Sequence, residues 1–196
     1  MAESQTGKWS LKRLLKHTGL ESAELPLPAL FLLGVAVALV HVSFDYSLGM
    51  PGHHGLEFLT AVVFARLVST QPLAAAMVAA GAASGDVAFA GHMLHSLKAV
   101  PLYFLTGLLV DGAWRILGDR CRALPLAALV GAAAYMAKPL SMLAVAGISG
   151  MVFGFMRHGA AFPLVTHAAF GAIGAICGAL LARAWMGKHK KPDPAA

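Results

Sequence analysis

The sequence predicts an all-α membrane protein with six transmembrane helices and both termini in the cytoplasm, and three observations carry this prediction. Hydrophobic residues make up 58% of the 196 residues and charged residues only 12%, about half the charged share of a soluble domain. The apolar residues come in long continuous runs without an amphipathic stripe, which is typical of helices whose solvent is lipid. Lysine and arginine are concentrated in alternate loops, which indicates a fixed orientation.

The chain divides into three predicted regions. Residues 1–25 are polar and basic, with no continuous apolar stretch and no small-residue cleavage site, so we predict a cytoplasmic segment and no cleaved signal peptide. Within it, "KWSLKRLLKH" fits either a short amphipathic helix on the membrane surface or a solvated tail. Residues 26–187 form the transmembrane domain, and residues 188–196 form a basic cytoplasmic tail.

The six spans follow from runs of about 20 apolar residues, the length that crosses a hydrocarbon core of about 30 Å. They lie near residues 27–48, 56–70, 72–91, 99–117, 124–148 and 162–186. Four of them begin close to a proline, whose missing N–H costs little at the start of a helix: Pro72, Pro101, Pro125 and Pro163.

The positions of lysine and arginine orient these spans. If the N-terminus is inside, 12 of the 15 fall in cytoplasmic segments: Lys8, Lys12, Arg13, Lys16, Arg66, Arg115, Arg120, Arg122, Arg183, Lys188, Lys190 and Lys191. Only Lys98 and Arg157 fall in outer loops, and Lys138 lies within a span. This bias predicts an even number of spans in a bacterial inner membrane. The net charge of +6 therefore reflects topology, and we expect no nucleic-acid partner.

The histidines gather on the opposite side from the basic residues, and with three carboxylates they form a predicted outer polar layer. It comprises His41, Asp45, His53, His54, Glu57, Asp86, His92, His95, His158 and His167. By helix rise, His41 lies about 10 Å and His167 about 8 Å below the outer ends of their spans. Ionisable groups at membrane depth indicate a functional site by default. We therefore expect these residues to bind substrate.

A transition metal ion is one candidate ligand, with His53, His54, His92 and His95 as ligating residues, because imidazole suits such metals. Other interpretations remain open for the same residues. The loop histidines also fit solvated turns, and His41 and His167 also fit core histidines that hydrogen-bond a neighbouring helix.

Two further features concern packing. Asp111 and Lys138 are each ten residues from the outer end of their predicted spans, which places both about 15 Å deep and predicts a buried structural ion pair. Gly34 and Ala38 are four residues apart and lie on one helix face, where small residues let helices approach closely. They serve either internal packing or docking onto a partner membrane protein.

Three segments resemble those of the substrate-binding S-components of energy-coupling factor (ECF) transporters. They are residues 71–86 "QPLAAAMVAAGAASGD", 101–117 "PLYFLTGLLVDGAWRIL" and 163–181 "PLVTHAAFGAIGAICGALL". The resemblance implies capture of a vitamin, metal ion or metal-containing cofactor at the outer face, under the loops where the histidines gather. It also implies a transmembrane coupling subunit, docked through Gly34 and Ala38, and cytoplasmic ATPases. The chain itself has no phosphate-binding loop, which fits a non-catalytic subunit.

Two alternatives come from other classes of protein. Residues 147–155 "GISGMVFGF" and the segment "THAAFGAIGA" resemble parts of rhomboid intramembrane proteases, with Ser149 as nucleophile and His167 as its base. His167 follows Ser149 by only 18 positions, which leaves no room for the extra helix that this family places between them. The other alternative is a stand-alone metal carrier, which the outer histidines alone would support.

Overall fold

The computed structural model describes residues 25–44, 50–89, 93–150 and 158–189, and in these ranges the protein is entirely helical. The six α-helices are α1 (Leu27–Phe44), α2 (Gly55–Val68), α3 (Ala74–Phe89), α4 (Met93–Leu117), α5 (Leu124–Ser149) and α6 (Ala161–His189). A short 3-10 helix, Gly118–Arg122, joins α4 to α5. The predicted all-α class is confirmed, and each predicted span coincides with one α-helix.

Three helices in the described part of the chain are long and apolar enough to cross a membrane: Ala99–Arg122, Leu124–Ser149 and Ala161–Lys188. By length and composition, these helices indicate a membrane protein. Helices α1 and α3 are apolar but shorter, and α2 has 14 residues, a length of about 21 Å. The crossing of the membrane by all six helices stays a prediction.

Helix α2 lies at the centre of the bundle and contacts all five other helices. Ten of its 14 residues are buried, as expected for a helix that is apolar on every side. The outer helices pack in sequence around it, with α1 on α3, α3 on α4, α4 on α5 and α5 on α6. A groove remains between α1 and α6, lined by Leu33, Val37, Phe64 and Trp185, with Glu57 and Lys188 also along it.

The interface between α1 and α3 is built from small residues. A Cβ atom on Gly34 would overlap the Val78 carbonyl, and one on Gly81 would overlap the Phe31 carbonyl, so the two backbones touch. Ala38 is 6% exposed, because it packs against Gly85 of α3. The predicted docking of a partner through Gly34 and Ala38 is therefore corrected. The pair serves internal packing, which allows the close approach typical of membrane helices.

A buried ion pair holds the end of α2, the start of α3 and the C-terminal part of α4 together. Arg66 Nη1 lies 3.3 Å from Asp111 Oδ1, and the two residues are only 7% and 6% exposed. The same carboxylate accepts hydrogen bonds from the backbone N–H groups of Ala75 at 3.1 Å and Ala76 at 2.8 Å. It therefore satisfies two of the free N–H groups in the first turn of α3.

The two Nη atoms of the Arg66 guanidinium also bond backbone carbonyls, whereas its buried Nε has no hydrogen-bond partner among the described residues. The guanidinium donates to the carbonyl of Ser69 at 2.8 Å and to the carbonyl of Gln71, which fixes the turn between α2 and α3. The Ser69 hydroxyl in turn donates to the Leu25 carbonyl at 3.1 Å, which ties the start of the described chain to this turn.

The predicted pairing of Asp111 with Lys138 is wrong, because the two residues lie at different depths. Asp111 lies six residues before the end of α4 at Leu117, whereas Lys138 lies 14 residues into α5, which begins at Leu124. At 1.5 Å per residue, their depths differ by about 12 Å. The prediction counted both residues from the opposite ends of their spans, and there α4 is longer than predicted: it begins at Met93 rather than near residue 99, with Pro101 inside it.

Candidate functional site

The turn Met50–His54, which the sequence predicts to be the first outer turn, places the adjacent histidines directly at the start of α2. Gly52 has a φ of 87°, a conformation that glycine adopts without strain. The Gly55 N–H donates to the Gly52 carbonyl at 2.9 Å, which closes the turn. His53 Nδ1–H donates to the Met50 carbonyl at 2.8 Å, so the His53 ring folds back over the turn rather than extending into solvent.

An imidazole cluster forms where this turn meets the end of α1. It consists of His41, His53, His54 and Glu57. His41 Nδ1 donates to Glu57 Oε1 at 3.0 Å, and His54 Nδ1 lies 3.8 Å from the same oxygen. The His41 and His54 rings meet edge to face with centroids 3.7 Å apart, and the His53 and His54 centroids are 3.9 Å apart.

The burial of the cluster argues against simple solvated loop residues. The side chains of His41, His54 and Glu57 are 26%, 33% and 31% exposed. His41 comes from α1, and the other three residues come from the turn before α2 and the first turn of α2, so the cluster joins two consecutive helices. Such a convergent polar group on a bundle suits ligand binding.

The electrostatic setting favours the neutral form of His54. Burial lowers the pKa of His54 below its usual value, and the nearby His41, His53 and Lys138 charges lower it further, against the opposing attraction of the Glu57 carboxylate. The buried Nδ1 atom of His54 has no hydrogen-bond partner in the described part of the chain. A neutral imidazole with an unsatisfied nitrogen is the form that binds metals and donates to polar solutes.

His167 lies directly beneath the first outer turn. A Cβ atom on Gly52 would lie only 2.7 Å from His167 Nδ1, so the turn rests on this ring. His167 Nδ1–H donates to the Pro163 carbonyl at 2.7 Å. Its ring centroid is 5.0 Å from that of Tyr135. The turn therefore covers His167, and Nε2 of a neutral His167 keeps a free lone pair.

The floor below the cluster contains residues that the sequence analysis did not assign to the site. Lys138 Nζ lies 5.9 Å from the centre of the Tyr103 ring. Both residues, with Tyr135 and Phe58, line a small cavity. The half-buried Asp86 lies within electrostatic reach of Lys138 and Tyr103. Tyr135 and Lys138 are three residues apart on α5, a spacing that places them on one face and could have indicated their shared role.

Of the remaining predicted site residues, the described part of the chain places His158, and His158 does not join this arrangement. His158 is exposed, and its ring contacts Phe162 at a centroid distance of 5.4 Å. Asp45, His92 and the side chain of His95 lie outside the described residues, so their predicted roles stay predictions.

Ser149 and His167, the two residues of the protease alternative, each hydrogen-bond helix backbone. The Ser149 hydroxyl donates to the Val145 carbonyl of its own helix at 2.7 Å, and His167 Nδ1–H donates to the Pro163 carbonyl. These contacts do not test the chemistry of a nucleophile and its base, so the protease alternative stays a prediction.

Three residues of the imidazole cluster could hold a metal ion. One potential ligand atom from each of His41, His54 and Glu57 lies within 4.8 Å of the other two. The comparisons with known proteins add no relative to this geometry, since neither a family model nor a curated protein nor a solved structure matches the chain.

Proposed function

We propose that this protein is the substrate-binding membrane subunit of an ECF-type importer, which captures a small ligand at the outer face of a bacterial inner membrane. The observation that carries the proposal is the imidazole cluster. It is formed by the end of α1 and the start of α2, and its side chains are partly exposed.

The separation of the cluster from the basic residues supports this assignment. Glu57 lies in the first turn of α2 and Arg66 in its last turn, about 14 Å apart along the axis. The Arg66–Asp111 pair, the Asp119–Arg122 pair and the Arg183 contact to the Arg122 carbonyl all belong to that other end. Since basic residues favour the cytoplasmic side, the cluster would face outward.

The first outer turn is suited to act as a cover over the ligand. It consists of Pro51, Gly52 and the two histidines, and it rests on His167 through a glycine without a side chain. A short turn with glycine at its contact point can shift without breaking side-chain packing. In this proposal the ligand enters below the turn, and a coupling subunit driven by cytoplasmic ATPases then reorients the bundle.

The test is purification from host membranes in a mild detergent, followed by mass spectrometry of bound subunits and elemental and mass analysis of bound small molecules. We expect a transmembrane coupling subunit, two ATPases and a stoichiometric ligand. The double variant His53→Ala/His54→Ala should keep the subunits but lose the ligand. ATP-independent uptake by the chain alone in vesicles would instead support the stand-alone carrier and overturn the proposal.

A further inference from the structure

The contacts among His41, His54 and Glu57 carry a more specific inference about the ligand. We propose that these three residues form a binding site for a divalent first-row transition metal ion, coordinated by Nδ1 of both histidines and one carboxylate oxygen. The inference rests on the proposed function for its biological meaning, but the site itself can be tested without transport.

The spacing of the three ligand atoms is close to what a metal ion requires. Atoms bound about 2.1 Å from a tetrahedral metal lie about 3.4 Å apart. The Glu57 oxygen lies 3.0 Å from His41 Nδ1 and 3.8 Å from His54 Nδ1. All three ligand atoms fall within 4.8 Å. Small side-chain rotations therefore bring them into a coordination shell, with no change in backbone.

The unsatisfied His54 nitrogen is the second, independent observation. Nδ1 of His54 is buried and has no hydrogen-bond partner in the residues described, and such groups are rare in folded proteins because they cost free energy. The atom points toward the carboxylate that His41 already contacts. A metal ion between the three groups would satisfy His54 Nδ1 and replace the His41–Glu57 hydrogen bond. The His41 ring proton would then reside on Nε2.

The donor set selects the class of metal. Two imidazole nitrogens and one carboxylate suit Zn²⁺, Co²⁺, Ni²⁺ or Cu²⁺, whereas Ca²⁺ and Mg²⁺ prefer oxygen ligands alone. The cluster contains no thiolate, which is the ligand type that selects Cu(I). Both cysteines, Cys121 and Cys177, are free and lie outside it.

The number of ligands and their exposure favour reversible capture. Three protein ligands leave a fourth position open, as in sites that exchange a ligand, whereas structural zinc sites are closed by four. About a quarter to a third of each side chain is accessible. Nearby Lys138 would oppose a divalent cation, but Asp86 lies within electrostatic reach of Lys138 and offsets its charge.

The experiment is a titration of the purified, detergent-solubilised chain, carrying a tag without histidine, with Zn²⁺ and separately with Co²⁺ and Ni²⁺. Calorimetry should give one high-affinity site, and Co²⁺ should show the visible absorption of a nitrogen- and oxygen-ligated ion. Each of the three variants His41→Ala, His54→Ala and Glu57→Gln should weaken Zn²⁺ binding by more than about tenfold. About tenfold is the smaller loss of affinity expected when a residue that only hydrogen-bonds a metal ligand is replaced.

The matched control is His158→Ala, which removes an exposed histidine that is not part of the cluster. It should bind Zn²⁺ as the parent does. Size-exclusion chromatography and circular dichroism identify any variant that fails to fold. Because Glu57→Gln keeps the size of the side chain, a loss of Zn²⁺ binding in this variant reports the loss of the carboxylate rather than a change in packing.

Two results would overturn the metal site. One is the absence of a high-affinity site in the parent protein, and the other is a site whose affinity the three variants leave unchanged. Neither result would remove the proposed importer subunit, which is judged by its co-purifying ATPases and by whatever organic ligand it carries. Conversely, a metal site without these partners would retain this inference and reject the importer.

Discussion

At the scale of single residues, the sequence predicted which residues of the candidate site lie together, but it did not predict the ion-pair partner of Asp111. Placing His41, His53, His54, Glu57 and His167 in one outer layer needed only helix rise and loop position, and the structure brings these five together. The pairing of Asp111 was missed because depth was counted from the outer ends of the predicted spans. Counted from Leu117 and Leu124, the adjoining helix ends that prediction and structure share, Asp111 and Lys138 differ in depth by about 12 Å, so the mismatch was readable from the sequence.

The Arg66–Asp111 pair gives the clearest prediction at this scale. We expect Asp111→Asn to lower the free energy of unfolding by about 3–5 kcal/mol, because Arg66 would keep a buried charge without its counter-ion. The melting temperature of the detergent-solubilised protein should fall by roughly 10 °C. Thermal denaturation followed by circular dichroism measures this change.

Asp119→Asn is the matched control for that substitution. Asp119 pairs with Arg122 at 2.9 Å, but the two side chains are 86% and 53% exposed. Exposed ion pairs contribute little to stability, so the melting temperature should stay nearly constant. Equal shifts in the two variants would contradict the structural role assigned to Asp111.

At the scale of helices, the existence of all six elements was predictable because each is a long apolar run. Their mutual arrangement was not predictable, because small residues indicate a close helix contact but not which helix makes it. From the sequence alone, Gly34 and Ala38 could contact either a partner protein or another helix of this chain. Only the structure shows that Val78, Gly81 and Gly85 of α3 occupy that face.

The substitution Gly34→Ala tests the α1–α3 interface. The added methyl group would overlap the Val78 carbonyl, and overpacking of this kind typically costs about 1–3 kcal/mol. We expect a lower melting temperature in detergent, measured on the isolated chain. A loss of partner subunits with an unchanged melting temperature would instead restore the docking interpretation.

Gly112→Ala provides the comparison for that variant. Gly112 lies within α4, and nothing lies within 4 Å of a Cβ atom built there. Alanine in a helix interior is favoured over glycine by about 0.5–1 kcal/mol. The melting temperature should therefore stay constant or rise.

At the scale of the whole molecule, the orientation in the membrane is the property on which the proposed capture depends. The basic residues predict that the 3-10 helix Gly118–Arg122 is cytoplasmic and that the Met50–His54 turn is external. The uneven distribution of lysine and arginine along the chain is enough to predict this orientation, and no knowledge of helix packing is needed.

Single-cysteine variants would establish this orientation. In a background without Cys121 and Cys177, Met50→Cys should react with a membrane-impermeant maleimide in intact cells, since Met50 is 40% exposed. Asp119→Cys, at an exposed position, should react only after the membrane is permeabilised. The reverse pattern would place the imidazoles on the cytosolic side and leave an external capture site without a basis.

The short central helix has a consequence for how a ligand meets this protein. A helix of 14 residues is about 9 Å shorter than the hydrocarbon layer of a typical bilayer. Because the other five helices enclose α2, no lipid layer adapts to its length, and in a bundle that spans the membrane the ends of α2 lie beneath the level of the headgroups. Since Glu57 belongs to its first turn, an arriving ion would shed much of its hydration shell before reaching the carboxylate, and selectivity would be decided in that dehydrated setting.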